Sequence, residues 1–206
     1  DYTNAIGIIV TTEFMSRILA FDTWQERWGN TDRVLTEEQN ESVAMQTFSG
    51  FDLTKRIVEA QVNIDGMTAA KRCWNYQKGD LQWYLPCLME LGVLRAYRDE
   101  INKAMEEIGC PDECLLPTED SDETWVWSSS EGSQNLSWGV TFSNGNFYGS
   151  GKNCSGMVRA VAAFQPSPSL LTGEAKSNDC LHSDEVLINM LRERGYKGEL
   201  TKTLTI

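Results

Sequence analysis

The 206-residue chain carries seven Trp, seven Phe and six Tyr, enough apolar bulk for a well-packed core and too much for a disordered polypeptide. Its formal charge of −12 excludes a non-specific nucleic-acid binder, which needs clustered Lys and Arg to neutralise phosphate, and disfavours an anionic membrane surface. No apolar run approaches the roughly 20 residues that span a bilayer, and Asp1 to Asn4 carry neither the charged nor the long apolar stretch of a secretory leader.

Two apolar runs, Ala5 to Val10 and Ile18 to Phe21, flank the polar Thr11-Thr12-Glu13 and predict a hairpin. Trp24 and Trp28 flank an acidic-polar turn, and Thr31 to Gln46 reads as a long surface excursion. A short helix is expected from about Leu53 to Ala60, with Asp52 as N-cap. The first major helix runs from Met67 to Gln77, where Ala69, Ala70, Cys73 and Trp74 recur at helical spacing after Asp65-Gly66. Pro86 suits the first turn of a second helix, whose Leu88, Leu91 and Leu94 share one face. A third helical stretch with Ile101, Met105 and Ile108 ends at Gly109, a left-handed C-cap, before Pro111.

An acidic loop, Glu119 to Glu123, leads into the segment Trp125 to Phe164, where the function is placed. Trp125 and Trp127 alternate on a strand, as do Trp138, Val140 and Phe142, which are expected to face the core while Gly139 and Thr141 face outward. Ser143-Asn144-Gly145-Asn146 predicts a tight hairpin. Phe147 to Gly156 is too glycine-rich for an ordinary strand, and Met157 to Phe164 returns to a strand around one charge, Arg159. An ion pair between Glu131 and Arg159 is expected to tie the two ends of this segment. Beyond Phe164 a Pro- and Ser-rich linker precedes a helix capped by Ser183, ending at Gly195, and a final strand near Leu200 to Ile206.

Chemistry is sparse. The single histidine, His182, leaves no basis for His-built metal cages or for most triads, and Cys180 beside it has nothing to orient an imidazole. Six Cys allow up to three disulfides in 15 pairings; Cys110 and Cys114 read as a local disulfide or two free thiols, since no second pair completes a metal site. The acidic loop does not match a known calcium loop and reads as a solvated charge run. No metal or cofactor is expected.

The order Trp127-Ser128-Ser129-Ser130-Glu131, Ser137-Trp138-Gly139-Val140-Thr141-Phe142-Ser143-Asn144-Gly145, Lys152 and Val158-Arg159-Ala160-Val161, with Trp83-Tyr84-Leu85-Pro86, Glu90-Leu91 and Asp99-Glu100-Ile101-Asn102 upstream, resembles a C-type-lectin-fold family. That family includes the C-terminal domain of a collagen-like bacterial adhesin and is similar to the variable proteins of diversity-generating retroelements. Here Gly139, Ala160 and Met157 stand where it often has Tyr, Pro and Arg. The resemblance implies an α+β C-type-lectin-like domain over residues 1–164, with small antiparallel sheets, two main helices and long loops. Residues 165–206 then form a linker and a helix-strand appendage. It implies exposure on a cell surface or phage particle, and a coding segment repeated imperfectly, differing only at adenines, beside a reverse transcriptase gene.

The resulting expectation is a non-catalytic module recognising a protein or glycan through an exposed face. Its residues are Ser133, Gln134, Asn135, Leu136, Gly139, Thr141, Tyr148, Gly149, Ser150, Gly151, Asn153, Cys154, Ser155 and Gly156. Tyr offers contact area at little entropy cost, while Ser, Gly and Asn adapt to irregular partners. The alternative is an enzyme on the same fold, formylglycine-generating-like or glycan-processing, for which the general bases are missing.

Overall fold

A computed structural model describes residues 5–29, 33–61, 65–119, 124–163 and 203–205. The frame is one mixed sheet. Strands β1 (Ile8–Thr11) and β2 (Ser16–Arg27) form the predicted hairpin, and β2 continues antiparallel to β7 (Ser155–Ala163). The two ends of the 1–164 region therefore meet within one sheet, as the apolar runs predict. On the far side, β4 (Trp125–Glu131), β5 (Leu136–Thr141) and β6 (Phe147–Gly151) add in turn. The sheet order is β6-β5-β4-β7-β2-β1-β8, with the two-residue β3 (Trp83–Tyr84) pairing β7 off this path. Strand β8 (Thr203–Thr205) lies parallel to β1.

The expected small antiparallel sheets are thus replaced by a single sheet with parallel contacts at β4–β7 and β1–β8. The cause is β2. Its 12 residues run straight through Trp24 to Arg27, where a turn was expected, so one long strand spans what two short sheets would have shared. The predicted helix at Ser183, the linker, Cys180 and His182 lie outside the described residues, as does the acidic loop beyond Glu119.

Alternation along the central strands sorts side chains to two buried layers, because helices cover both faces. Ile8, Val10, Leu19, Phe21, Val126, Val140 and Val161 pack beneath α4 (Leu88–Ala96) and α5 (Arg98–Glu107). Ile9, Ile18, Ala20, Trp127, Val158, Ala160 and Ala162 pack against α2 (Gly50–Ala60) and α3 (Ala69–Trp74). A fifth and shorter helix, α1 (Glu41–Ala44), is capped by the Asn40 side chain and interrupts the expected surface excursion.

Helix α4 buries Leu88, Leu91 and Leu94 as their spacing predicts, but Cys87 is its N-cap, which leaves Pro86 one residue outside the helix. Helix α2 begins three residues earlier than expected, putting Asp52 in its first turn, and α3 is shorter than the predicted span. Helix α5 ends as foreseen, with Gly109 at φ +81°.

The Trp83-Tyr84-Leu85-Pro86 and Glu90-Leu91 motif acquires a structural role. Buried Glu90 accepts from the Cys87 N–H (2.9 Å), the Tyr84 hydroxyl (2.9 Å) and Arg17 Nε (2.7 Å), joining α4, β3 and β2 at one carboxylate. Gly50 sits against it: a Cβ there would lie 2.2 Å from Glu90 Oε2. Burial, with Glu90 beside it, pushes the Tyr84 hydroxyl well above the usual phenol range, so it stays a donor.

Trp127 is fully buried and its indole N–H donates to the Glu26 carbonyl (3.1 Å). Trp127→Ala should lower stability by about 3–5 kcal/mol in a denaturant titration, a large part of what a domain of this kind holds.

Candidate ligand-binding surface

The hairpin β5–β6 and the tight turn from β6 into β7 carry most of the residues singled out from the sequence. The first is closed by Phe142–Asn146, where Gly145 takes φ +79° and its N–H donates to the Thr141 carbonyl (2.8 Å), as the Asn-Gly signal predicts. Phe147–Gly151 is nevertheless a strand, because its ladder to β5 outweighs the weak strand preference of its glycines. In the second turn the Cys154 N–H donates to the Gly151 carbonyl (2.8 Å). Leu136 pairs with Gly151, and the Lys152 N–H reaches the Asn135 carbonyl (3.0 Å), which places 133–136 beside 149–155.

Gln134, Asn135, Leu136, Tyr148, Gly149, Asn153, Cys154 and Ser155 are exposed there, with Ser133, Ser150 and Gly151 half-buried. Gly139, Thr141 and Gly156 are not on the surface. The indole of Trp125 lies across them: a Cβ on Gly139 would meet its ring at 2.4 Å, and one on Gly156 would meet it at 2.7 Å. Thr141 is directly opposite Trp125 in the ladder. Alternation assigns Gly139 and Thr141 to the outward face, and Gly156 counts with the exposed glycine-rich stretch, but Trp125, stacked edge-on against Trp127 at 4.0 Å between centroids, covers that region.

Beneath the exposed loops lies an ion pair that the sequence assigned wrongly. Glu131 meets Lys152, and both side chains are fully buried. The Lys152 ammonium also donates to the Gln134 carbonyl (2.8 Å) and sits 5.0 Å from the centre of the Trp28 ring. The Glu131 carboxylate accepts from the N–H groups of Leu35 (3.0 Å) and Thr36 (2.7 Å) and from the Thr36 hydroxyl (2.8 Å). Main-chain bonds extend the knot: Gln39 N–H to Glu131 O (2.8 Å) and Gly29 N–H to Lys152 O (3.0 Å). Trp138, half-buried on the core side, anchors to it through its indole N–H on the Gln39 carbonyl (2.7 Å). Segments 33–39, 131–136 and 151–155 are thereby held to one another.

Arg159 takes no part. Val126 is level with Met157, so Arg159 stands near Ser128, three residues from Glu131, or about 10 Å along the strand. Its side chain enters the layer beneath α5, donating to the Cys114 carbonyl and approaching Met105 Sδ (3.8 Å). Nε and Nη1 have no partner among the described residues, and burial brings its pKa down to about 10.

Nothing among the described residues groups three or more His, Cys, Asp or Glu in a metal-binding arrangement. A concavity of about 660 Å³ opens between α5 and the following loop, with Asp99, Glu106, Asp112 and Glu113 in its wall. Five of the six cysteines are described; Cys73, Cys87, Cys110 and Cys154 are free thiols, so no disulfide joins Cys110 to Cys114. Burial pushes the Cys87 thiol up to about 12 and the Cys110 thiol to about 11, which keeps both protonated and poor nucleophiles at neutral pH.

No family model matches the chain, and no curated protein does. The fold is similar to that of a fimbrial protein from Bacteroides ovatus ATCC 8483, at a TM-score of 0.52 and 14% identity over 72% of this chain. The match spans 36% of that protein's chain. No helix among the described residues is long and apolar enough to cross a membrane.

Removing one member of the buried pair strands a charge. Lys152→Met should cost about 3–5 kcal/mol in chemical denaturation. Adding Glu131→Leu should cost less than the two single changes summed, because the second substitution removes the charge that the first left unpaired.

Proposed function

We propose that this chain is a non-catalytic recognition module: an adhesin-like or receptor-recognition domain presenting a variable surface on a C-type-lectin-like scaffold. The observation that carries the reading is the contrast between support and surface. Exposed Gln134, Asn135, Leu136, Asn153, Cys154 and Ser155 stand on segments clamped by the fully buried Lys152 and Glu131, and Tyr148 and Gly149 on the strand that leads into them, held by its ladder to β5. Rigid support beneath small polar residues and an exposed tyrosine lowers the ordering cost of binding.

The fold likeness to a fimbrial protein is consistent with display on a cell surface. Burial keeps the Cys87 and Cys110 thiols protonated, which weighs against either as a nucleophile. The ligand is a protein or glycan on another surface, and no cofactor enters the reading. Residues 1–164 form the binding domain, with 165–206 as its appendage.

Tyr148 is 49% exposed, and its hydroxyl accepts from the Asn146 side-chain amide (3.0 Å). Tyr148→Ala should change stability by no more than about 0.5 kcal/mol. It should weaken binding to the ligand identified on a glycan array or surface-protein panel by about 2 kcal/mol or more. Undiminished binding would remove Tyr148 from the surface, and unfolding would mean that it is a core residue.

A further inference from the structure

The strand at the end of the sheet is poised to accept another strand. Register and hydrogen bonds fix which way each of its amides points. Thr141 N–H donates to Asn146 O (2.9 Å) and Lys152 N–H to Asn135 O (3.0 Å), so the antiparallel ladder makes Asn146, Tyr148, Ser150 and Lys152 the residues bonded to β5. Phe147 and Gly149 then direct their N–H and C=O groups away from the sheet, as Gly151 does its N–H, while the Gly151 carbonyl is taken by the Cys154 N–H (2.8 Å). Among the described residues no strand pairs with that edge.

Natural edge strands are usually blunted by Lys, Pro, a bulge or a covering segment. Here Asn144 to Gly151 contains no charge and no proline. Gly149 also leaves a bare strip beside Leu136, which is 43% exposed, and Trp138, where a Cβ would lie only in ordinary contact with both, whereas at Gly151 the Asn153 and Cys154 side chains stand close. A partner side chain can cover that strip. The edge continues at Phe147 into an apolar groove of about 250 Å³, which Phe147 shares with Met45, Met89, Val93, Ala96 and Tyr97.

Resting on the reading of this chain as a recognition module, we propose that its partner is an extended polypeptide segment that adds antiparallel or parallel to β6. Main-chain bonds to Gly149 and Gly151 hold it, and apolar side chains at alternate positions pack over Leu136 and Trp138 and into the groove at Phe147. A second copy of this chain is a poor occupant. Five residues of strand bury far less than the roughly 1,200–2,000 Å² of a stable protein interface. Each copy also carries a formal charge of −12, which opposes self-association.

The test pans a phage-displayed library of random linear dodecapeptides on the whole chain, with a glycan array and a surface-protein panel probed in parallel. The proposal expects peptides with apolar residues at every second position. Synthetic versions should slow amide hydrogen exchange at Gly149 and Gly151 by about tenfold or more. Gly149→Pro, which removes one outward N–H and no bond to β5, should weaken them by about tenfold or more at unchanged melting temperature. Peptides that bind without slowing exchange at those glycines overturn the proposal, as does a library without binders. Should the proline variant fail to fold, exchange in the unsubstituted chain decides. Concentration-dependent protection of Gly149 without any peptide makes a second copy the occupant and overturns the choice made here. Binding to a glycan or folded protein that is lost in Tyr148→Ala, with no peptide recovered, sinks strand addition and leaves the recognition module standing; no binding on any of the three platforms sinks both.

Discussion

A lysine and a glutamate, neither touched by solvent, set the terms on which the rest of this molecule presents itself. Withdrawing two charges from water costs several kcal/mol each, and their attraction offsets this only where every remaining donor and acceptor is satisfied. Lys152 and Glu131 meet that condition by recruiting the backbone of Leu35, Thr36 and Gln134, the Thr36 hydroxyl and the face of Trp28. Segments distant in sequence thus become the solvation shell of one ion pair. Loops that polar composition would leave loose are fixed, because letting go would strand a charge.

A second buried carboxylate acts similarly at the N-terminus of α4. Glu90 caps α4 while receiving Arg17 and Tyr84, so the helix cannot shift relative to β2 and β3 without losing a charge-assisted bond. The two buried layers on the faces of the sheet are mainly apolar, and helices cover both. The contrast is Arg159, a buried cation with two nitrogens unbonded among the described residues. It contributes packing within that layer at an electrostatic cost, which Asp22, within electrostatic reach, offsets only in part.

What local pattern governs was legible. The spacing of Leu88, Leu91 and Leu94, the Asn144-Gly145 turn, the Gly109 stop and the pairing of the terminal strand runs follow from periodicity and turn chemistry. What register and long-range packing govern was not. Glu131 and Arg159 were matched by charge, yet the β4–β7 register separates them, and the partner proved to be Lys152, visible as the only basic residue of the glycine-rich stretch. Alternation placed Gly139 and Thr141 correctly opposite the core-facing Val140 and Phe142. It had no means of showing that Trp125 would fold across that opposite face and bury them. Trp24 misled for a related reason: a polar stretch beside an aromatic reads as a turn until a long partner strand, β7, extends it.

Amide hydrogen exchange at Leu35 and Thr36, compared between the unsubstituted chain and Lys152→Met under conditions where both remain folded, reaches the central claim directly. Both amides donate to the Glu131 carboxylate, although Lys152 itself touches neither. If the buried pair holds the loops, stranding Glu131 draws water to the carboxylate, and protection at Leu35, Thr36 and Gln39 should fall by about tenfold or more while Leu91 and Leu94 in α4 keep theirs. Unchanged protection at Leu35 and Thr36 would contradict the account, since the loops would then be held by something other than the ion pair.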